Sequence, residues 1–201
     1  MAINLEKGQQ ISLKKNNGEE LNSFCVGANW GSIQGKGFFG GSKIISVDLD
    51  LSVGMFNKKN QLINTIYFGN LNTQGIRHSG DDLIGDSNGN DGLDNEIINI
   101  NLLSLPSNVE QLVFMLNSYK KQDFSTIPFA SIRLYEGTNR QVNRIFANYN
   151  ISSDSKFSGH VSMILGKLYK RDNKWKFSAI GEACKAEELR GTLSIVEELY
   201  L

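Results

Sequence analysis

Residues 44–56, "IISVDLDLSVGMF", set Val47, Leu49, Leu51 and Val53 at every second position with Asp48, Asp50 and Ser52 between them. A period of two is the signature of a strand with one apolar face, and it places both aspartates on the other. The turn-forming "NKKNQ" follows, and "LINTIYFGN" from Leu62 to Asn70 reads as the hairpin partner. The same cadence recurs along the chain. "EIININLLSL" puts Ile98, Ile100 and Leu102 on one face; "QLVFMLNSY" from Gln111 to Tyr119 is almost continuously apolar, as in a strand covered on both sides. "FASIRLYEG", "HVSMILGKLYKR" and "KWKFSAIGE" continue it, the last two joined across "RDNK". Such a chain is mainly β, and two packed sheets would bury its apolar faces. The expectation is a two-sheet β-sandwich with short peripheral helices, formed by a single domain over residues 1–201 with 186–201 as a C-terminal helical extension. In that extension Leu189, Leu193, Val196 and Leu199 fall at helical spacing, and Ser194 with Glu197 has the form of a capping box after Gly191.

Against this apolar pattern stands "GDDLIGDSNGNDGLDNE", Gly80 to Glu96, which holds Asp81, Asp82, Asp86, Asp91, Asp94 and Glu96 with no basic residue between Arg77 and Lys120. Two like charges about 4 Å apart repel by roughly 4 kcal/mol at an effective dielectric near 20. The segment is therefore solvated, disordered, neutralised from a distance or held by a cation. The EF-hand register fails: counting from Asp86, the position that needs glycine is Asp91 and the position that needs glutamate is Ile97, and the flanks read as strands. A hard cation remains compatible, because Ca²⁺ takes about six to eight oxygens from carboxylates, amides and carbonyls. Asp82, Asp86, Asp91, Asp94 and Glu96 offer charge and Asn88 and Asn90 neutral oxygen, whereas the absence of sulfur and imidazole from the segment disfavours zinc and copper. Asp48 and Asp50, about 7 Å apart along their strand, would complete a cage if strand end and loop meet at one edge.

Three ordered motifs, "VDLDLS" at Val47–Ser52, "RHSGDDLIGDSNGNDGLDNE" at Arg77–Glu96 and "GKLYKRDNKWKFSAIGE" at Gly166–Glu182, resemble those of the tellurium-resistance TerD family, as do the opening "INLEKGQQISL" and "GFFGG". The resemblance covers about residues 3 to 184. It implies a calcium-binding β-sandwich linked to tellurite resistance and other stresses, holding one or two Ca²⁺ ions, and it implicates Asp48, Asp50, Asp81, Asp82, Asp94 and Glu96. Asp86, Asn88, Asn90 and Asp91 are ligands inferred from chemistry, since the loop is longer here around Ser87–Leu93. Asp82 stands where the family has Asn, Ile84 where it has Thr, and Asn95 where it has Asp.

Other features point to ordinary roles. With 21 basic and 21 acidic residues the net charge is zero, which excludes a general polyanion binder. Cys25 and Cys184 have no ligand spacing and read as reduced thiols. No run approaches the roughly 18 apolar residues of a membrane span, so the expectation is a cytoplasmic protein without membrane insertion. "WGSIQGKGFFGGSK" lacks the pattern of a phosphate loop, although Trp30, Phe38 and Phe39 in it could mark a partner surface. His78, beside the loop, suits a hydrogen bond that orders it better than metal ligation. Trp175 among Lys170, Arg171, Lys174 and Lys176 reads as a hairpin with an apolar face, with no nucleic-acid role. The resulting expectation is a non-enzymatic, calcium-ordered binding or scaffold module with protein partners, including other tellurium-resistance proteins at the membrane. The rivals are a metal-dependent hydrolase using the same carboxylates and a sandwich that recognises sugar through calcium.

Overall fold

The computed structural model describes residues 3–4, 9–14, 18–37, 40–152 and 155–201. Phe38 and Phe39 lie outside them. In chain order the strands are β1 (Ile3–Asn4), β2 (Gln10–Ser12), β3 (Ser23–Trp30), β4 (Ile33–Lys36), β5 (Ser42–Ile45), β6 (Leu49–Phe56), β7 (Leu62–Ile66), β8 (Asn72–Thr73), β9 (Ile76–His78), β10 (Glu96–Asn101), β11 (Gln111–Ser118), β12 (Ala130–Thr138), β13 (Gln141–Asn150), β14 (Ser162–Arg171) and β15 (Lys174–Cys184), followed by the helix α1 (Leu189–Leu199). They form a seven-stranded sheet in the order β1-β13-β12-β3-β10-β9-β8, a six-stranded sheet in the order β2-β15-β14-β11-β6-β7, and a separate β4-β5 ribbon.

The alternating residues make the sandwich. Leu49, Leu51, Val53 and Met55 of β6 meet Phe24, Val26 and Ala28 of β3 and Ile98 and Ile100 of β10 in one inter-sheet core. Burying each such side chain contributes about 1.5–3 kcal/mol relative to exposure. β11 is covered on both sides, as its apolar run requires. Leu112, Phe114 and Leu116 enter the inter-sheet core, while Val113 and Met115 join Phe56, Ile164 and Val196 beneath α1. The β14–β15 turn has Asp172 and Asn173 at φ 53° and 58°, the left-handed pair that a two-residue hairpin of matching twist needs.

Three details differ from the expectations. The segment 44–56 is not one strand, because β5 stops at Ile45 and β6 begins at Leu49. The interruption is fixed by the Trp30 indole N–H, which donates to the Val47 carbonyl at 2.9 Å, and by Val47 N–H, which donates to Ile84 O at 3.0 Å. The capping box does not form: α1 starts at Leu189, so Ser194 lies inside it and its hydroxyl donates back to Arg190 O. Leu199 is 65% exposed, and Tyr200 and Leu201 pack against the helix-covered cluster instead. No helix among the described residues is long and apolar enough to cross a membrane.

Candidate metal centre

Asp48, Asp50 and Asp81 meet, with Glu96 behind them, where the loop from one sheet reaches the start of β6 in the other. Asp48 precedes β6 and Asp50 is its second residue, in register with Asn117 of β11. The 80–95 loop leaves β9 and returns through Glu96 into β10, in the opposite sheet. Glu96 bridges the layers: it is fully buried, its Oε2 accepts from Leu51 N–H at 2.8 Å, and its Oε1 accepts from Asp82 N–H at 3.4 Å. His78 supports it. Nδ1 accepts from Gly80 N–H at 3.1 Å, which leaves the proton on Nε2, 3.0 Å from Leu51 O and 3.4 Å from Glu96 Oε2. The ring orders the loop, and both its nitrogens are occupied by protein.

Asp48, Asp50 and Asp81 each bring a carboxylate oxygen within 4.8 Å of the others. Asp48 and Asp50 are 2% and 7% exposed, and Asp81 closes the group from the solvent side. Burial pushes Asp50 up to about 8, with Glu96, Asp48 and Asp81 adding to the rise. Burial also raises Asp48, against the opposing pull of Lys120, and raises Glu96. Lys120 Nζ lies 3.5 Å from Asp48 Oδ2, but it is anchored by Leu83 O and Ser46 Oγ at 2.9 and 3.0 Å. Asp48 Oδ1 is buried with no hydrogen-bond partner.

The rest of the acidic loop is placed differently. It lies across the outer face of the seven-stranded sheet, where protein donors meet its carboxylates. Asp82 Oδ1 accepts from Ile84 and Gly85 N–H, each at 2.9 Å, and its Oδ2 accepts from Asn95 Nδ2 at 3.1 Å. Asp86 accepts from Asn95 Nδ2 at 3.2 Å, Asn29 Nδ2 at 3.3 Å and Asp91 N–H at 3.2 Å. Asn90 and Asp91 cap the turn by accepting from Gly92 and Leu93 N–H, while Asn88 is exposed. Asp94 Oδ1 receives Arg133 Nε at 2.8 Å, and its other oxygen is buried against Gly27, whose bare Cα leaves the space. Burial raises Asp94, and Arg133 opposes the rise. Gly85, at φ +72°, fits the loop against Trp30, whose ring a Cβ there would approach to 2.5 Å.

The structure thus brings Asp48, Asp50 and Asp81 together, sets Glu96 behind them, and engages Asp82, Asp86, Asp91 and Asp94 with protein donors. Four contributors carry no sequence signal of their own: Asn29, Lys120, Arg133 and Asn117. The alternation of Ser131, Arg133 and Tyr135 with Ile132 and Leu134 does place Arg133 on the outer face, but its partner is 39 positions away. Asn95 is informative as a departure. Its amide joins Asp82 to Asp86 while its Oδ1 accepts from Trp30 N–H at 2.8 Å; an aspartate would bring a third negative charge there.

Among known proteins, the family model described as the TerD domain matches residues 1–194. The chain is 37% identical over 211 residues to "Stress response protein SCP2" of Bacillus subtilis, with 96% of this chain and 98% of that protein covered. It is 31% identical over 191 residues to "Tellurium resistance protein TerZ" of Serratia marcescens, covering 93% of each. A crystal structure of a homologue of telluride resistance protein (TerD) from Streptomyces coelicolor superposes with a TM-score of 0.67 at 11% identity, over 84% of this chain and 94% of that one, and bears on the fold alone.

Proposed function

The chain belongs to the TerD family, one of tellurium-resistance and stress-response proteins, and from that membership and its buried rim carboxylates we propose that it is a cytoplasmic, non-enzymatic calcium-binding protein whose ion orders a surface for protein partners. The observation that carries the proposal is the trio Asp48, Asp50 and Asp81, with oxygens within 4.8 Å of one another. Three carboxylates so close, two of them buried, are strongly unfavourable when all are ionised without a cation. The donor set is oxygen only, as a hard divalent ion prefers. Asp48 Oδ1, buried without a donor, is an acceptor that such an ion would satisfy. Asp48, Asp50 and Asp81 would hold it, and Glu96 would fix Asp50's strand through Leu51 N–H.

Its effect would be linkage. An ion that binds the ordered rim and not the frayed one stabilises the ordered state in proportion to its occupancy. The rim carries exposed apolar side chains at Leu83 and Ile84, so ordering it also orders a surface that proteins can recognise. A hydrolase built on the same carboxylates draws no support from the relatives' names, which describe resistance and stress response. Calorimetric titration of chelator-treated protein with Ca²⁺ and with Mg²⁺, paired with thermal melts, tests the proposal. Heat and a melting shift on adding calcium are expected; neither appearing at about millimolar calcium, where Ca²⁺-binding extracellular modules still load, would refute it.

A further inference from the structure

Asp50, one of the carboxylate trio, also lines a groove of 720 Å³ between the outer face of the six-stranded sheet and the first turn of α1. Its register partner Asn117 lies beside it on the floor, only 3% exposed. Hydrogen bonds fix that amide. The Thr192 hydroxyl donates to Glu188 O at 3.2 Å, so its oxygen must accept from Asn117 Nδ2, at 2.9 Å, while the same Nδ2 also donates to Ser162 Oγ at 2.7 Å. Asn117 Oδ1 is left buried with no donor. A buried acceptor without a partner costs about 1–3 kcal/mol. The floor lacks donors.

One wall is aromatic. Tyr67 and Phe68 stack edge to face at 5.2 Å, and Phe68 and Tyr119 do so at 5.8 Å, with Tyr119 64% exposed. The charges do not favour an anion. Lys121 is held by Glu187 at 2.7 Å, and Asp50, Glu187 and Glu188 offset Lys121 and Arg190 around the groove. An apolar wall facing a few convergent polar atoms is the usual make-up of a small-molecule site.

We infer that this groove binds a small neutral polyhydroxylated ligand, a monosaccharide or related polyol, whose hydroxyls donate to Asp50 and Asn117 Oδ1 while its carbon face rests on Tyr119. The inference rests on the calcium reading, because three carboxylates leave part of a six- to eight-oxygen shell open and neighbouring hydroxyls of the ligand fill it on the groove side.

The test uses the full chain loaded with calcium, followed by amide and side-chain NMR during titration with glucose, with myo-inositol and, as the charged comparison, with inorganic phosphate. Glucose or myo-inositol is expected to move the Asn117 side-chain amide signals and the Tyr119 backbone signal, and chelation to abolish the response. Tyr119→Ala, at an exposed position, is expected to weaken the polyol about tenfold, as one lost ring contact of ordinary size does, with the calcium heat unchanged. Calcium heat without any polyol response at about 50 mM, far above a millimolar dissociation constant, overturns the inference and leaves the calcium reading standing. A response to phosphate alone, or equal polyol binding by Tyr119→Ala, also overturns it. Absence of calcium heat refutes the calcium reading itself and the inference with it.

Discussion

Two acidic regions, joined through the 80–96 loop, solve the same electrostatic problem in opposite ways. On the outer face of the seven-stranded sheet, Asp82, Asp86, Asp91 and Asp94 are met by backbone N–H groups, two asparagine amides and Arg133. At the rim, Asp48, Asp50 and Asp81 face one another, with Lys120 the cation beside them among the described residues and one Asp48 oxygen unpartnered. In the first region most carboxylate oxygens already have protein donors, although Asp94 Oδ2 is itself buried without one. The second is left short of positive charge, and burial makes that shortage expensive. The comparison teaches that the number of carboxylates in a loop says little; what separates a folded turn from a candidate cation site is how many carboxylate oxygens already have donors.

The comparison breaks most visibly at Arg133. Arg133→Ala leaves the Asp94 side chain, 1% exposed, without its cation and also removes the donor to Gly92 O at 3.0 Å. Removing one partner of a buried pair costs about 3 kcal/mol, read as a lower urea midpoint at unchanged slope. Calcium affinity should hardly move, since Asp94 is not part of the trio. A large loss of calcium binding in a variant that remains folded would mean that the two regions are one site.

Asp50→Asn probes the other side. It removes a carboxylate from the trio while keeping its shape, and calcium affinity should fall about 100-fold, equivalent to roughly 2.7 kcal/mol. The calcium-free protein should become more stable, because the variant no longer has to protonate or bury a carboxylate beside Asp48, Asp81 and Glu96 on folding. Opposite signs for the free and calcium-loaded forms are the signature; destabilisation of both would make Asp50 a structural residue.

How much of this was legible in the sequence follows from the range of the forces involved. Alternation and turn chemistry are local, so β6, β7, β11 and the β14–β15 hairpin follow from their residues, and the TerD-like motifs place the D-L-D strand and the acidic loop together. The division of that loop is not local. It depends on Asn29 from β3 and Arg133 from β12, which reach the loop only once three strands are in register. The Ile45–Leu49 break likewise requires the Trp30 indole to find Val47 O across 17 positions. The misplaced start of α1 has a nearer cause: Leu189 and Leu193 pack on the sheet, and that contact extends the helix through Gly191 to Leu189 without a side-chain cap.

Titration sharpens the comparison more gently. Asp50 is raised from 3.8 to about 8, and Asp48 and Glu96 are raised as well. A carboxyl whose folded value lies above its unfolded one adds stability that is complete below the unfolded value and is lost as pH rises through the folded one. The calcium-free protein should therefore melt at higher temperature near pH 5 than near pH 8.5, the reverse of a protein stabilised by salt-bridged carboxylates. Saturating calcium should flatten that slope, because the ion replaces the proton as the counter-charge. A calcium-free melting temperature that falls steadily from pH 8.5 to pH 5 would show that the rim carboxylates are ionised at little cost.

The smallest effect is expected at Lys120, the cation that lies near the trio among the described residues. Its side chain is 40% exposed and its ammonium lies 3.5 Å from Asp48 Oδ2, so water screens it and its contribution to folding is at most about 1 kcal/mol. Toward a divalent ion it is a competitor: binding places two positive charges beside a third, or displaces the lysine from Asp48. Lys120→Gln keeps a donor for Leu83 O and Ser46 Oγ and removes only the charge, so calcium affinity should rise, by about three- to tenfold at low salt. The gain should shrink as ionic strength increases, because the Debye length falls to about 8 Å at 0.15 M. The same substitution should leave the Arg133–Asp94 region untouched, with an unchanged response to Arg133→Ala in the double variant, since the two regions share no partner. A loss of calcium affinity on removing this charge would mean that Lys120 positions Asp48 for the ion instead of competing with it, and the rim would then resemble the outer-face loop, with a protein cation built into its design.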